Sequence, residues 1–149
     1  GYGAFEKPIA YLLKSMTCVE PDKHSTDYLR AIFSKEKNIT ICQQTMDEFM
    51  SANDDKFDVI LTINPSHWSS NPFYMSDSWF SLIHKHLHEK GIFILHKHYG
   101  ACYKNGLVHF KYTLNYWIRY AEKNQLNLTV IGSTNKDAHC YIIFSKIRF

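Results

Sequence analysis

The first twenty residues, GYGAFEKPIAYLLKSMTCVE (Gly1–Glu20), decide how the rest of the chain is read. Gly1 and Gly3 precede a run in which Pro8 stands near the start and Ile9, Ala10, Leu12 and Leu13 follow at helical spacing. That pattern predicts a helix over roughly residues 6–15, with the proline in its first turn. MTCVE (16–20) then reads as a short buried strand closed by Glu20 and the Pro21-Asp22 turn. In α/β sheets that bind nucleosides, a glycine turn entering a helix brings the backbone close to the ligand. An acid at the end of the next strand accepts hydrogen bonds from ribose hydroxyls. Glu20 lies 17 residues after Gly3, close to that spacing. Such a turn normally follows a buried strand, so the expectation is that GYG is a cofactor loop. Its central strand, expected between Val19 and Ile60, is then lost from these residues, disordered or contributed by another segment.

Outward from this stretch the chain alternates. A helix from about Ser25 carries Tyr28, Leu29, Ile32 and Phe33 on one face, and ITIC (39–42) is the next strand. After an acidic segment, KFDVILTI (56–63) is the most strand-like run, bounded by Asp54-Asp55 and Asn64-Pro65-Ser66. Ser76-Asp77 caps a helix with Trp79, Phe80, Ile83 and Leu87 inward, expected to stop at Gly91, and GIFIL (91–95) follows as a strand. Past the aromatic and basic stretch HKHYGACYKNGLVHFKY (96–112), Thr113 opens a helix burying Leu114, Trp117, Ile118 and Ala121. LNLTVIG (126–132) and HCYIIFSKIRF (139–149) are joined by too few residues for a crossover helix and must pair antiparallel. The order predicts a single α/β domain over residues 1–149. Its sheet is Rossmann-like, mostly parallel, with a C-terminal antiparallel hairpin and the first central strand missing.

Composition sets outer limits. The 149 residues are 45% hydrophobic, with ten Tyr, ten Phe and three Trp, enough for a packed core and an aromatic-lined cleft. Net charge is +3, from 17 basic and 14 acidic residues spread along the chain, so no concentrated basic footprint stands out, though this spread does not exclude nucleic acid. Cys18, Cys42, Cys102 and Cys140 follow no CxxC spacing and read as reduced thiols of a cytoplasmic protein. No stretch reaches the roughly 18 apolar residues of a membrane span.

The glycine loop departs from G-x-G-x-x-G, because Glu6 occupies the third glycine's place. Beside a pyrophosphate a carboxylate there would repel like charge, whereas a cationic cofactor tolerates it. An acid in the loop, the acid Glu20 and the closing hairpin together resemble the class I S-adenosylmethionine-dependent methyltransferases, from Gly1 to the end of the chain. Within that superfamily the chain is similar to the histamine N-methyltransferase family, through GYGAFE (1–6), CVEPDKHSTDYLRAIF (18–33), KFDVILTIN (56–64) and TLNYWIRYAEKNQLNLTVIGSTNKDAHCYII (113–143). The resemblance implies S-adenosylmethionine as cofactor and a small amine as methyl acceptor. It implies Gly1 and Gly3 on the methionine and sulfonium side, Glu20 on the ribose, Ser25 beyond it, Thr45 near the adenine and Ile63 packed on the cofactor. It also places an amide side chain against the accepting amine, where this chain has Asn64 in place of the family's glutamine.

Methyl transfer from a sulfonium is an in-line displacement that depends chiefly on orientation, so Asn64 would orient the amine rather than abstract its proton. His67, or a histidine of residues 96–98, could take that proton, since imidazole titrates near neutral pH. Asn64-Pro65-Ser66-His67 also resembles the N-P-P-Y motif of methyltransferases acting on amines or amides of nucleic acid or protein, which keeps a macromolecular substrate as an alternative. A catalytically silent scaffold is the other. His84 and His88 stand four apart in the expected helix, as zinc ligands can, but without completing ligands they read as a solvated face, and no metal is expected.

Overall fold

The computed structural model describes Gly3 and residues 6–63, 77–98, 114–132 and 139–146. The chain divides into two compact units, Gly1–Asp54 and Asp55–Phe149.

In the first unit, α1 (Glu6–Ile9) runs into a 3-10 turn (Ala10–Leu12), followed by β1 (Met16–Val19), α2 (Lys23–Ile32), β2 (Ile39–Cys42) and α3 (Met46–Ala52). β1 and β2 pair in parallel from Met16 with Ile39 to Val19 with Cys42, which requires the α2 crossover between them. Ala10, Cys18, Leu29 and Phe33 form the core, with Met16, Ile32, Ile39 and Ile41 packed against it. Asn38 donates to the carbonyls of Ala10 and Leu13 at 3.1 and 2.9 Å, tying the end of the 3-10 turn to the residue before β2.

Two helix readings change here. α2 begins at Lys23 rather than near Ser25, because Asp22 is its N-cap and accepts from the Ser25 amide at 2.7 Å. Tyr28 is 48% exposed, so the buried stripe of α2 narrows to Leu29 and the flanking Ile32 and Phe33. The acidic segment also holds a helix that its composition concealed. Thr45 and Glu48 form a reciprocal capping box that opens α3, the T-x-x-E pattern standing in the sequence.

Gly3 has φ +72°, a conformation that costs other residues. A Cβ there would stand 2.6 Å from Ile32 Cδ1 and 3.0 Å from Leu29 Cδ2, so the glycine lets the turn lie flat on α2. Its carbonyl accepts from the Lys7 amide at 3.0 Å and starts α1.

The second unit contains β3 (Phe57–Ile63), α4 (Asp77–His86), β4 (Leu87–His98), α5 (Leu114–Lys123), β5 (Asn127–Gly132) and β6 (His139–Ser145). Its sheet order is β3-β4-β6-β5: β3 and β4 are parallel, and β6 is antiparallel to both β4 and β5. The closing hairpin is therefore present, with β6 inserted between β4 and β5. Among the described residues, β1 and β3 are each paired on one side alone.

One face of this sheet carries Ile60, Phe93, Leu95, Ile142 and Phe144, all buried. Phe80 of α4 meets Phe93, Phe144, Trp117 and Tyr120 at ring-centroid distances of 6.0, 6.0, 5.6 and 3.9 Å. Phe93 stacks on Phe144 at 5.7 Å. Buried His86 lies with Nδ1 2.8 Å from the Asp55 carbonyl and ties the end of α4 to the segment entering β3.

Three more readings are corrected. α4 ends at His86 and β4 starts at Leu87, so Gly91 lies inside the strand rather than ending a helix. Phe57 pairs with Leu87 but Val59 already pairs with Ile92. A Cβ at Gly91 would sit 2.9 Å from the Phe57 carbonyl oxygen, so the glycine absorbs this slip in register. His88 consequently belongs to a strand, so the four-residue helical spacing from His84 does not exist. No group of three or more metal-ligating side chains occurs among the described residues. On α5, Tyr120 is buried and Ile118 is 37% exposed, so the inward stripe runs through Trp117, Tyr120 and Ala121.

Three outcomes follow from this packing. Gly3→Ala is expected to cost about 1–2 kcal/mol from the left-handed backbone alone, read by denaturant unfolding. Leu95→Ala, at a fully buried position, is expected to cost about 2–5 kcal/mol by the same measurement. The Glu48 carboxyl is held below its ordinary pKa of 4.5 chiefly by the Thr45 amide, with the Thr45 hydroxyl second. A depressed carboxyl stabilises the folded state above its unfolded pKa and loses that contribution as pH falls through the folded one. Between about pH 6 and about pH 3, Tm should therefore fall less steeply in Glu48→Gln than in the unsubstituted protein.

Candidate active site

In parallel sheets, ligands bind beyond the carboxyl ends of the strands. In the first unit those ends are occupied by Glu20 and Thr45. The Glu20 amide donates to the Cys42 carbonyl at 3.0 Å, carrying the ladder one residue past β1. The Glu20 carboxylate therefore stands at the strand end, and its Oε1 accepts from the Asp22 amide at 3.0 Å. Thr26, fully buried, donates its hydroxyl to the carbonyls of Glu20 and Asp22 at 3.0 and 2.7 Å. The turn presenting Glu20 is thus pinned from below by a side chain of α2.

Ser25 is buried in the first turn of α2 and bonds to Asp22 through both amide and hydroxyl. Those bonds, the amide's first, hold the Asp22 carboxyl below the usual carboxylate range. Thr45 is similarly engaged: its hydroxyl donates to Glu48 Oε2 at 2.8 Å and accepts from the Glu48 amide, while its own amide donates to Oε2 at 2.8 Å. The resemblance places both residues toward a ligand; in the structure the Thr45 hydroxyl caps α3 and the Ser25 hydroxyl is turned to the Asp22 carboxylate that caps α2. Cys18 faces the core beneath this edge. Burial, reinforced by the Glu6 carboxylate, pushes its thiol up to about 11, so it stays protonated and unreactive at neutral pH.

In the second unit, Ile63 is the last residue of β3, 39% exposed, and pairs with His96 of β4. His96 is buried and pairs in turn with Tyr141 of β6. The pairing of His96 and Tyr141 is not readable from sequence, because it depends on the register of β4 and β6. A small apolar crevice with about 20 Å³ of enclosed space, partly open to solvent, lies between Phe80, His84, Leu87, Phe144 and Lys146. It sits at the amino end of β4, the wrong end for a ligand of a parallel sheet, and reads as imperfect packing. Gly1, Asn64 and His67 lie outside the described residues.

No protein-family model and no curated protein matches the chain. Solved structures do. The N-methyltransferase NodS from Bradyrhizobium japonicum WM9 superposes with a TM-score of 0.75 at 13% identity, over 97% of this chain and 80% of that one. A second structure of the same enzyme, holding S-adenosyl-L-homocysteine, gives 0.74 at 12% identity, over 97% of this chain and 72% of that one. The CurJ carbon methyltransferase gives 0.69 at 13% identity, over 99% of this chain and 46% of that one. No helix among the described residues is long and apolar enough to cross a membrane. At these identities the likeness establishes architecture: the chain has the Rossmann-like α/β fold of the class I methyltransferases, with parallel strands closed by a C-terminal antiparallel hairpin.

Proposed function

We propose that the protein is an S-adenosylmethionine-dependent methyltransferase whose acceptor is a small amine. The observation that carries this reading is the Glu20 carboxylate, held at the carboxyl end of β1 by the Asp22 amide and a pinned turn. The fold it shares with methyltransferases, one of which was solved with S-adenosyl-L-homocysteine, supports it.

The residues present suit an adenosyl cofactor. A half-buried carboxylate at this strand end matches a vicinal diol, with two hydroxyl donors and no charge of its own to oppose it. Glu6, in the first turn of α1, favours a cationic over an anionic neighbour. Within the first unit, Gly1 and Gly3 would border the methionine and sulfonium side, Gly3 through its backbone, since the space of its missing Cβ is filled by α2. Glu20 would bind the ribose, with Ser25 supporting it through the Asp22 cap. Thr45 would meet the adenine through its methyl group, because its hydroxyl serves α3. In the second unit, Ile63 offers exposed aliphatic surface to pack on the cofactor.

When bound, the cofactor supplies a sulfonium-activated methyl group. The protein's part is orientation: Asn64 directs the amine lone pair, and His67 accepts the departing proton. The small-amine acceptor and the Asn64 role rest on the resemblance to the histamine N-methyltransferase family, and the His67 role on the near-neutral titration of imidazole.

Titration calorimetry with S-adenosylmethionine and S-adenosylhomocysteine tests the reading. Both should bind, and Glu20→Ala should weaken both at least about tenfold, the loss of one charge-assisted hydrogen-bonding pair. Absence of binding to the unsubstituted, folded protein overturns the proposal.

A further inference from the structure

Independently of the methyltransferase reading, we infer that a second copy of this chain pairs antiparallel along β5 and joins two second-unit sheets into one. Among the described residues, β5 hydrogen-bonds to β6 on one side alone. A strand edge presents a row of backbone amides and carbonyls that another strand can take up, and natural sheets guard such edges with shortness, charge, proline or a bulge. β5 has none of these guards. It is six residues long, the stretch LNLTVIG (126–132) holds neither a charged residue nor a proline, and its register with β6 runs unbroken from Asn127 with Ser145 to Gly132 with Cys140. The other outer strand, β2, is only four residues long and follows closely on Lys35-Glu36-Lys37. The edges of β1 and β3 are those that the expected central strand would fill.

The strand is complementary to itself. A two-fold axis perpendicular to the sheet keeps each face on its own side, so opposed residues share a face and one residue opposes its own copy. Thr129, exposed and midway between Asn127 and Ile131, is that residue. Leu128 then opposes Val130 of the second copy, and Asn127 opposes Ile131. Leu128 and Val130 pair with Phe144 and Ile142 of β6, on the face that α5 covers, where Trp117 and Tyr120 meet Phe144 at 5.9 and 6.0 Å. Both are half-buried and Ile131 is 54% exposed, so the added strand shields apolar surface that β5 leaves to solvent.

No like charges meet in this register, and an opposed pair of threonines is a favourable antiparallel neighbour. β5 runs parallel to β3 and β4, because β6 is antiparallel to both β4 and β5. Antiparallel pairing of the two β5 strands therefore points the carboxyl ends of β3 and β4 in opposite directions in the two copies, and keeps those ends apart.

Sedimentation equilibrium of the 149-residue protein from about 1 to about 200 μM tests the pairing. The unsubstituted protein should dimerise as concentration rises. Thr129→Lys sets like charges opposite each other across the axis and should weaken the dimer at least about tenfold, with an unchanged circular dichroism spectrum. Thr129→Cys reads the register directly. Opposed antiparallel residues lie about 4.5–5.5 Å apart at Cα, within disulfide reach, so mild oxidation should link two copies through this position. Asn127→Cys, opposed to Ile131, should not link to its own copy. The two cysteine variants decide the question even if Thr129→Lys fails to fold. A monomer at every concentration overturns the inference and leaves the edge to a strand of another protein. A dimer that Thr129→Lys leaves intact, or that links through Asn127→Cys and not through Thr129→Cys, overturns it as well, since such a dimer is held elsewhere or in another register.

Discussion

Parallel pairing of β1 with β2, and of β3 with β4, is the constraint on which each unit depends. Two parallel neighbours cannot be joined by a tight turn, so α2 must cross from β1 to β2, and the long connection containing α4 must cross from β3 to β4. Each crossover then leaves the carboxyl ends of its pair on the same edge. Glu20 and Thr45 share one such edge, and Ile63 and His96 share the other. The candidate chemistry is therefore a by-product of chain direction, and residues far apart in sequence come together at each edge.

Maintaining those edges takes more polar than apolar work. Asp22 caps α2 by accepting from the Ser25 amide, Thr26 holds the turn of Glu20, and the Thr45–Glu48 pair caps α3. Each of these side chains satisfies an amide or carbonyl that a helix end or turn would leave orphaned. The consequence is a division of labour: Glu20 projects its carboxylate, while Ser25 and Thr45 support the backbone around it. In the second unit the work is apolar. Phe80 wedges among Phe93, Trp117, Tyr120 and Phe144, so α4 and α5 are locked to one face of the sheet.

Much of this is legible in the sequence alone. ITIC is a strand at the bounds its β-branched residues suggest, and the strand-like run KFDVILTI folds as β3, whose parallel pairing with β4 follows from the alternation of helices and strands. The closing hairpin followed from the short STNKDA connection. The errors have equally local causes. Gly91 looked like a helix stop because glycine serves both helix ends and strand irregularities, and only the pairing of Phe57 and Val59 with β4 distinguishes them. Tyr28 and Ile118 fit an inward stripe by spacing, but spacing does not state how wide a stripe the neighbouring sheet covers. In α3 acidic residues mask a helix whose start signal, T-x-x-E, is polar.

The sequence by itself determined the alternation of helices and strands, the glycine turn and the acid at the end of β1, because these depend on local spacing and backbone preference. Only the tertiary structure decided that the missing Cβ of Gly3 leaves room for α2, that the Thr45 hydroxyl is consumed by the cap of α3 and the Ser25 hydroxyl by the Asp22 carboxylate, and that His96 stands in a row with Ile63 and Tyr141. Those facts depend on which strand lies beside which and in what register. Register is settled by the packing of whole faces, and no short stretch of sequence contains it.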